Sequence, residues 1–582
     1  MNPFALIETE IRSALDQLVA DGRLPAGLDL TRVAVELPKD PAHGDVACSI
    51  ALMLAKPARM KPLDIAQALA ERLEGRADFR DVAVAPPGFV NMRMRPAFWQ
   101  AVIPAIRAAG TEFGRIDLGQ GQKVNVEYCS ANPTGPLHVG HARGTVFGDA
   151  LASILERVGY GVTREYYVND AGAQVETLAR SLHLRYREAL GEDIGEMPEG
   201  FYPGLYLVRT AEALAARDGD RWLGKPEEEW LDPLKRFAVE AQLQVIKDDL
   251  AALGVHHDLF LSERSLIEDG TMDAALQRLE ELGLLYVGEL PPPKGKPAED
   301  WEPRPQLLFR ATAFGDDVDR PLKRSNGAWT YFAADLGCHF SKLQRGHQWL
   351  IDVLGADHGG YVKRLKAAVK ALSQDQVQLE VRLCQLVSLM DEGKPLKMSK
   401  RAGRIVTMRD VVDEVGKDVM RFMLLTRKND APLDFDLSKV VEQSRDNPVF
   451  YVQYAHARVR SVFRQAEQRG LGELTQDLDR ADLALLTHPA ELDLLKRAAL
   501  LPRVLEGAAV HAEPHRIAFW LMELAAELHG LWTKGSEDES LRFLVEAEPE
   551  RSRARLAMLE AARTAIAAGL DILGVTPVDE LR

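Results

Sequence analysis

At 582 residues and 64.5 kDa the chain is too long for one hydrophobic core, and roughly two to four domains are expected. Hydrophobic residues at 46% and charged residues at 27% are ordinary globular values, and no run of about 18 apolar residues suggests a membrane span. The net charge of −15 excludes a generally basic nucleic-acid binder, though a global sum can hide local clusters such as 319–324, 361–370 and 393–409, each of which also reads as a solvated face.

The opening MNPFALIETEIRSALDQL lacks a basic n-region, and Glu8 and Glu10 interrupt its apolar character, so it reads as an amphipathic helix and not a signal peptide. A soluble, cytoplasmic chain is the expectation. Residues 1–112 alternate helical stretches with short strand-like pieces, ending in VAVAPPGFVNMRM (82–94). The cysteines at 48, 129, 338 and 384 form no CxxC pair, which argues against a disulfide framework and against protein-bound zinc.

From residue 123 the pattern becomes strand, loop, helix, strand. KVNVEYC is β-branched and aromatic, SANPTGP is loop punctuation, and Val146, Phe147, Ala150, Leu151, Ile154, Leu155 and Val158 mark one helical face. Gly159 is placed to stop that helix, and GVTREYYV follows as a strand. This βαβ unit predicts a parallel sheet with right-handed crossovers. A second unit begins at HQWLIDVL (347–354), passes through GADHGG and the helix YVKRLKAAVKAL, and continues as one strand over 377–390 into a lysine-rich loop. Between the two units, GELPPPKGKPAEDWEPRP holds six prolines in 18 residues and reads as a connecting insertion. Beyond about 440 the texture is helical. The expected fold is a doubly wound, Rossmann-like α/β domain at 113–435 with insertions at about 175–235 and 285–325. It is flanked by an α+β N-terminal domain at 1–112 and an all-α bundle at 436–582.

Two short motifs carry the chemistry. PLHVGHARG (136–144) puts His138 and His141 at the start of the first helix after the first strand. Ligands of open α/β sheets bind at that edge, and a helix N-terminus attracts phosphate. Imidazoles can donate to phosphate oxygens without full charge, and Gly140 lets a nucleotide approach the backbone. Composition alone yields roughly 0.03 chance occurrences of HxGH, although a pair of surface cap histidines would look the same. In KPLKMSKRAGR (394–404), Lys397 and Lys400 can clamp a pyrophosphate whose charge grows as it leaves. Neither half carries GxxxxGK[ST] or a GxGxxG fingerprint in context. Attack at the α-phosphate of ATP is the chemistry these two elements suggest.

HVGH at 138–141 and KMSK at 397–400 match the signatures of class I aminoacyl-tRNA synthetases. VEYCSANPTGPLHVGHARG, REYYVNDAGAQ, TYFAADLG and DNPVFYVQYAHARVRSV resemble the bacterial arginyl-tRNA synthetases over nearly the whole chain. The resemblance implies activation of L-arginine with Mg-ATP and transfer to tRNA(Arg), with tRNA needed for efficient activation. It places Pro133, Gly135, His138, Gly140, His141, Asp357, Lys397, Met398, Ser399 and Lys400 around ATP, with His138, His141, Lys397 and Lys400 catalytic. It places Glu127, Asn132, Tyr331, Asp335 and His358 around arginine. A guanidinium independently calls for bidentate carboxylates and a planar wall, which Glu127, Asp335 and Tyr331 could supply. Glu127 paired to a nearby lysine and Asp335 as a helix-surface acid are the plain alternatives.

The histidine of GADHGG is followed by Gly359, where many bacterial relatives carry a second histidine, so the part played by His358 stays open. In the C-terminal bundle Tyr451, Tyr454, His456, Arg458, Arg460 and Arg464 are available to splayed anticodon bases, with packing of the bundle the plain alternative for the tyrosines. No metal cage of protein ligands is visible, and a monomer is expected. Two rivals remain: another class I synthetase, and a catalytically silent RNA-binding relative.

Overall fold

The computed structural model describes residues 2–38, 40–291, 302–396, 406–444 and 446–581. The first helix, Pro3–Ala20, is capped by Asn2, whose side chain accepts from the Ala5 N–H, and it buries Phe4, Ile7, Ile11, Leu15 and Leu18 at helical spacing. This stripe belongs to a small domain with a four-stranded antiparallel sheet (Val35–Glu36, Val46–Cys48, Phe79–Ala85, Phe89–Met94). Glu8–Arg503, Asp45–Lys496 and a bond from Gln100 Nε2 to the Leu486 carbonyl fasten the domain to the C-terminal helices.

The central domain is a parallel sheet of five strands: β1 Lys123–Glu127, β2 Gly161–Val168, β3 Leu259–Ser262, β4 Trp349–Gly355 and β5 Gln378–Cys384. Their order across the sheet is β3-β2-β1-β4-β5, and every pairing is parallel. The order reverses direction between β1 and β4, the place where doubly wound sheets open a crevice for ligands. Helix α1 (Val139–Arg157) follows β1, and Gly159, with φ +91°, ends its run as the sequence predicts. Helix α2 (Tyr331–Gln344) precedes β4, and helix α3 (Val362–Ser373) follows it.

One sequence expectation is corrected here. The single strand at 377–390 is two strands, β5 and Val387–Asp391, and the second leaves the main sheet to pair in parallel with Leu433–Asp436. Asn429 sits at the break, donating from Nδ2 to the Leu383 carbonyl and accepting at its backbone from the Gln385 N–H. The exchange of partners depends on a residue 44 positions from Gln385, so local alternation could not announce it.

The insertion after β2 folds as helices Ala173–Ala189, Tyr206–Asp218 and Glu227–Ala252 around Tyr186, Leu214, Trp222, Trp230 and Leu234. A second insertion contributes the antiparallel strands Leu285–Gly288, Gln306–Phe309 and Arg320–Pro321. The C-terminal bundle is built on helices α4 (Pro448–Gln468), α5 (His515–Glu537) and α6 (Pro549–Ile572). Helix α6 is buried nearly all round, and its alanines 557, 561, 565 and 568 let neighbouring helices approach closely. Arg421 joins this bundle to the catalytic sheet. Its guanidinium donates to the Leu573 carbonyl and to Asp149 of α1 at 2.5 Å, inside a site only 1% exposed.

Candidate active site

His138 is the N-cap of α1, with extended backbone (φ −94°, ψ 162°). Its Nδ1 accepts from the Gly140 N–H at 3.0 Å, and the Nδ1 of His141 accepts from the His138 N–H at 3.3 Å. The pair therefore forms a reciprocal capping box with histidines in place of the usual hydroxyl and carboxylate. Because both Nδ1 atoms accept, each neutral ring carries its proton on Nε2, the nitrogen suited to meet a phosphate. Burial, reinforced by His138, lowers His141 to about 4, so its ring is neutral at pH 7. Gly140 has a use the sequence did not disclose: a Cβ there would lie 2.7 Å from the His138 ring. The start of α1 is pinned from two sides. Asp249 accepts from the Leu137 N–H at 3.1 Å, and residues 406–408 pair with 137–139 through the bond from the Met408 N–H to the Leu137 carbonyl. Lys397, Met398, Ser399 and Lys400 lie outside the described residues.

The connection from β1 to α1 holds two consecutive left-handed residues, Cys129 (φ +70°) and Ser130 (φ +36°). Such conformations in non-glycine residues cost free energy and persist only where neighbours impose them. Here Ser130 Oγ accepts from the Tyr167 N–H at 3.0 Å and donates to Glu127 Oε1 at 3.1 Å. Further along, Asn132 Nδ2 donates to Gln174 Oε1 and Pro133 is buried. Gly135 lies against the Tyr206 ring, whose hydroxyl donates to the Thr134 carbonyl.

Register places Glu127, the last residue of β1, beside Glu165 and Asp352 from the middle of β2 and β4, on one face of the sheet. Helix α2 and its C-cap lay a matching row across them. Lys342 Nζ meets Glu127 Oε2 at 2.5 Å and Asp352 Oδ1 at 2.9 Å, His339 Nε2 meets Asp352 Oδ2 at 2.8 Å, and Arg345 meets Glu165 at 2.6 Å. Glu127 is thus paired to a lysine, the plainer of its two sequence readings. Burial pushes its carboxyl up and Lys342 draws it back, while Asp352, despite burial, is held well below the usual carboxylate range by Lys342 and His339.

Asp335 stands on the same face of α2, one turn after the exposed Tyr331, and is half-buried. Burial, opposed by His339 and joined by the negative charges of Glu127, Glu263 and Asp352, pushes it up to about 7. Glu263, at the start of the helix after β3, is pushed to about 7 by burial, and the Tyr167 hydroxyl donates to it at 2.9 Å. A cation placed beside these two raised carboxyls would favour their charged forms. Sequence reasoning missed Glu263. Its only signal was an acid directly after the strand-like LFLS, at the edge where the other site residues gather.

Asp357 and His358 lie on the 3₁₀ turn Ala356–Tyr361 after β4, both exposed, 3.5 Å apart. The edge of His358 meets the Tyr361 ring. In the bundle, Tyr454 is 40% exposed with the Arg458 guanidinium 4.3 Å above its ring and 4.9 Å from the Trp532 ring. Tyr451 packs against His529, and Arg460 pairs with Asp579. His456, expected at the surface, is 1% exposed and bonds the Val578 carbonyl and Arg563, because the C-terminal tail lies across it.

Known proteins agree with this arrangement along the whole chain. Residues 5–94 match the arginyl tRNA synthetase N terminal domain, 103–282 the catalytic domain of class I tRNA synthetases (R), and 452–581 the DALR anticodon binding domain. An arginine–tRNA ligase of Parvibaculum lavamentivorans is 56% identical over 583 residues, and one of Ruegeria pomeroyi is 56% identical over 582; each alignment covers 100% of both chains. The Thermus thermophilus arginyl-tRNA synthetase structure superposes with a TM-score of 0.72 at 21% identity, covering 99% of this chain and 100% of that one, and so shares the fold. Likeness of this kind over the full length shows that the chain belongs to the class I arginyl-tRNA synthetases.

Proposed function

We infer that the chain activates L-arginine with ATP and transfers it to the 3′-terminal adenosine of tRNA(Arg), releasing pyrophosphate and AMP. The observation that carries the amino-acid assignment is the Asp335–Glu263 pocket. Two carboxyls raised to about 7 gain most from a ligand that brings its own permanent positive charge, and a guanidinium can bond both. Tyr331 and Tyr167 flank this end. Glu127, held by Lys342 and Ser130 near the start of α1, joins Asp335 in pairing with the guanidinium, and Asn132 follows it on the same connection. The substrate carboxylate is then directed at the α-phosphate.

In the first step that carboxylate attacks the α-phosphate in line, and pyrophosphate leaves. Orientation does most of the work, since no covalent protein intermediate is needed. His138 and His141 donate from Nε2 to phosphate oxygens as neutral rings, so they follow charge as it develops without adding a fixed cation. Lys397 and Lys400 hold the departing pyrophosphate, with Met398 and Ser399 between them in the sequence. Pro133, Gly135 and Gly140 shape the floor of the nucleotide site, and Asp357 bonds the ribose. Mg²⁺ arrives with ATP. His358 stands beside Asp357 on the turn after β4. In the second step the 2′-hydroxyl of the terminal adenosine attacks the mixed anhydride and AMP leaves.

The same reading gives residues 1–112 the outer corner of tRNA, 113–435 the chemistry and 436–582 the anticodon, with Tyr451, Tyr454, Arg458 and Arg460 on its RNA side. The enzyme works as a cytoplasmic monomer. Pyrophosphate exchange into ATP, run with each of the twenty amino acids and with or without total tRNA, tests it. Exchange with arginine alone, and only with tRNA, is expected. Exchange with another amino acid overturns the substrate, and no exchange under any condition leaves an RNA-binding protein.

A further inference from the structure

We propose that Arg143 is a positioning residue for the attack on ATP: its guanidinium fixes the turn of α1 that carries His138 and His141, from the side of the helix opposite the rings. The proposal rests on the reading that those rings meet the phosphates.

Arg143 is 2% exposed, and the three hydrogen bonds of its guanidinium go to backbone carbonyls. Nη1 donates to Gln385 at 3.2 Å and to Ala431 at 2.6 Å, and Nη2 donates to Lys428 at 2.6 Å. Nε is buried with no acceptor among the described residues. Carbonyl dipoles offset only part of the cost of taking a guanidinium out of water, so a cation is an unfavourable way to fill this space.

Its use lies in what it joins. Gln385 is the residue after β5, and its N–H is already held by the Asn429 carbonyl. Lys428 and Ala431 bracket Asn429 in the chain. One planar fork therefore ties α1 to both segments at the point where Val387–Asp391 leaves the main sheet to pair with Leu433–Asp436. A lysine head, a single compact donor group, cannot span these three carbonyls.

Helical periodicity sets Arg143 about 200° round the axis from His141. The other anchors of this region, Asp249 and residues 406–408, act on the backbone of 137–139, at the tip of the helix. A side-chain anchor one turn further on resists rotation about the axis, which contacts at the tip resist poorly. Ring nitrogens lie roughly 6 Å from that axis, so a rotation of about 10° moves them by about 1 Å. A misplacement of that size is enough for roughly a 100-fold loss of rate.

The test is a double-variant cycle in pyrophosphate exchange, at saturating tRNA and with active sites titrated. Arg143→Lys keeps the charge and loses the fork. His141→Asn keeps an acceptor for the His138 N–H and withdraws the Nε2 donor. Arg143→Lys alone should lower kcat roughly 10- to 100-fold, with the KM for arginine within about twofold of wild type. Added to His141→Asn, it should cost at least about threefold less than it costs in the wild type, because one of the donors it positions is already gone. Arg143→Met, which removes the charge as well, should match the lysine variant.

Wild-type kcat in Arg143→Lys with a lowered melting temperature makes the residue structural and overturns the proposal. Losses that simply multiply in the cycle do the same, as does an arginine KM that rises in step with the fall in kcat. Should the Arg143 variants fail to fold, Asn429→Ala loosens the same junction without touching a cation and goes through the same cycle, where unchanged kcat overturns the proposal. Wild-type exchange in His141→Asn sinks the reading of the rings instead, and this proposal with it.

Discussion

The imidazole of His138 stacks on that of His141, with ring centroids 3.8 Å apart and planes 29° from parallel. Each ring also caps the first turn of α1, so the helix N-terminus and the phosphate donors are one structure. The two histidines cannot be moved independently of the helix that carries them.

Gly140→Ala tests this unity directly. A methyl 2.7 Å from the His138 ring must displace it and break the cap. Pyrophosphate exchange should fall roughly 100-fold, as when one preorganised donor is lost. The melting transition should move by only the cost of a cap, about 1 kcal/mol. Paired exchange assays and thermal melts check the split.

The Asp335–Glu263 pocket makes arginine binding depend on pH. Burial raises both carboxyls to about 7, so below that pH protons must leave before a guanidinium can be paired. The KM for arginine should therefore fall roughly 10- to 100-fold between pH 6 and pH 8, as one or both carboxyls must ionise, with the KM for ATP flat. Asp335→Asn should raise the arginine KM roughly 100-fold and flatten this dependence. An unchanged arginine KM removes Asp335 from the pocket.

Acid should destabilise the fold through two histidines. Burial lowers both His141 and His257 to about 4, against 6.5 for the free side chain. Both are neutral when folded, so the unfolded chain takes up protons first as pH falls from 6.5 toward 4. Their stabilisation is complete above 6.5 and declines through that window, by up to about 3 kcal/mol each. His257→Phe, placed among Tyr128, Tyr166 and Phe260, removes one of these protons. Urea midpoints at pH 7 and pH 4.5 should lie closer together in that variant than in the wild type.

Arg458 offers a test of the RNA side. It stands over Tyr454 and Trp532 at the bundle surface, a cation on an aromatic platform. Arg458→Ala should weaken tRNA binding roughly tenfold and lower the salt dependence by about one counterion, while exchange at saturating tRNA stays near wild type. Filter binding across a salt series reads both.

Much of this molecule was legible in the chain because its signals are local. β2 at 161–168 and the stop of α1 at Gly159 follow from residue types a few positions apart. The i, i+4 spacing of Tyr331 and Asp335 likewise put them on one helical face. What stayed hidden is cooperative over long separations. Lys342 is an unremarked lysine until β1 and β4 bring Glu127 and Asp352 to it from 215 and 10 residues away. Glu263 becomes a pocket wall only when β3 takes its place at the sheet edge. The use of Gly140 depends on the rotamer of a neighbouring ring, which composition and periodicity do not carry.

Helix α1 spans 19 residues, a rod about 28 Å long. One end holds His138 and His141. The other holds Arg157, which pairs with Asp571 at the end of α6, while Asp149 midway along meets Arg421 and through it Leu573. A hydrogen-bonded rod does not absorb a push at one end by bending in the middle. The junction with the anticodon bundle and the two phosphate-facing rings are therefore carried on one and the same helix.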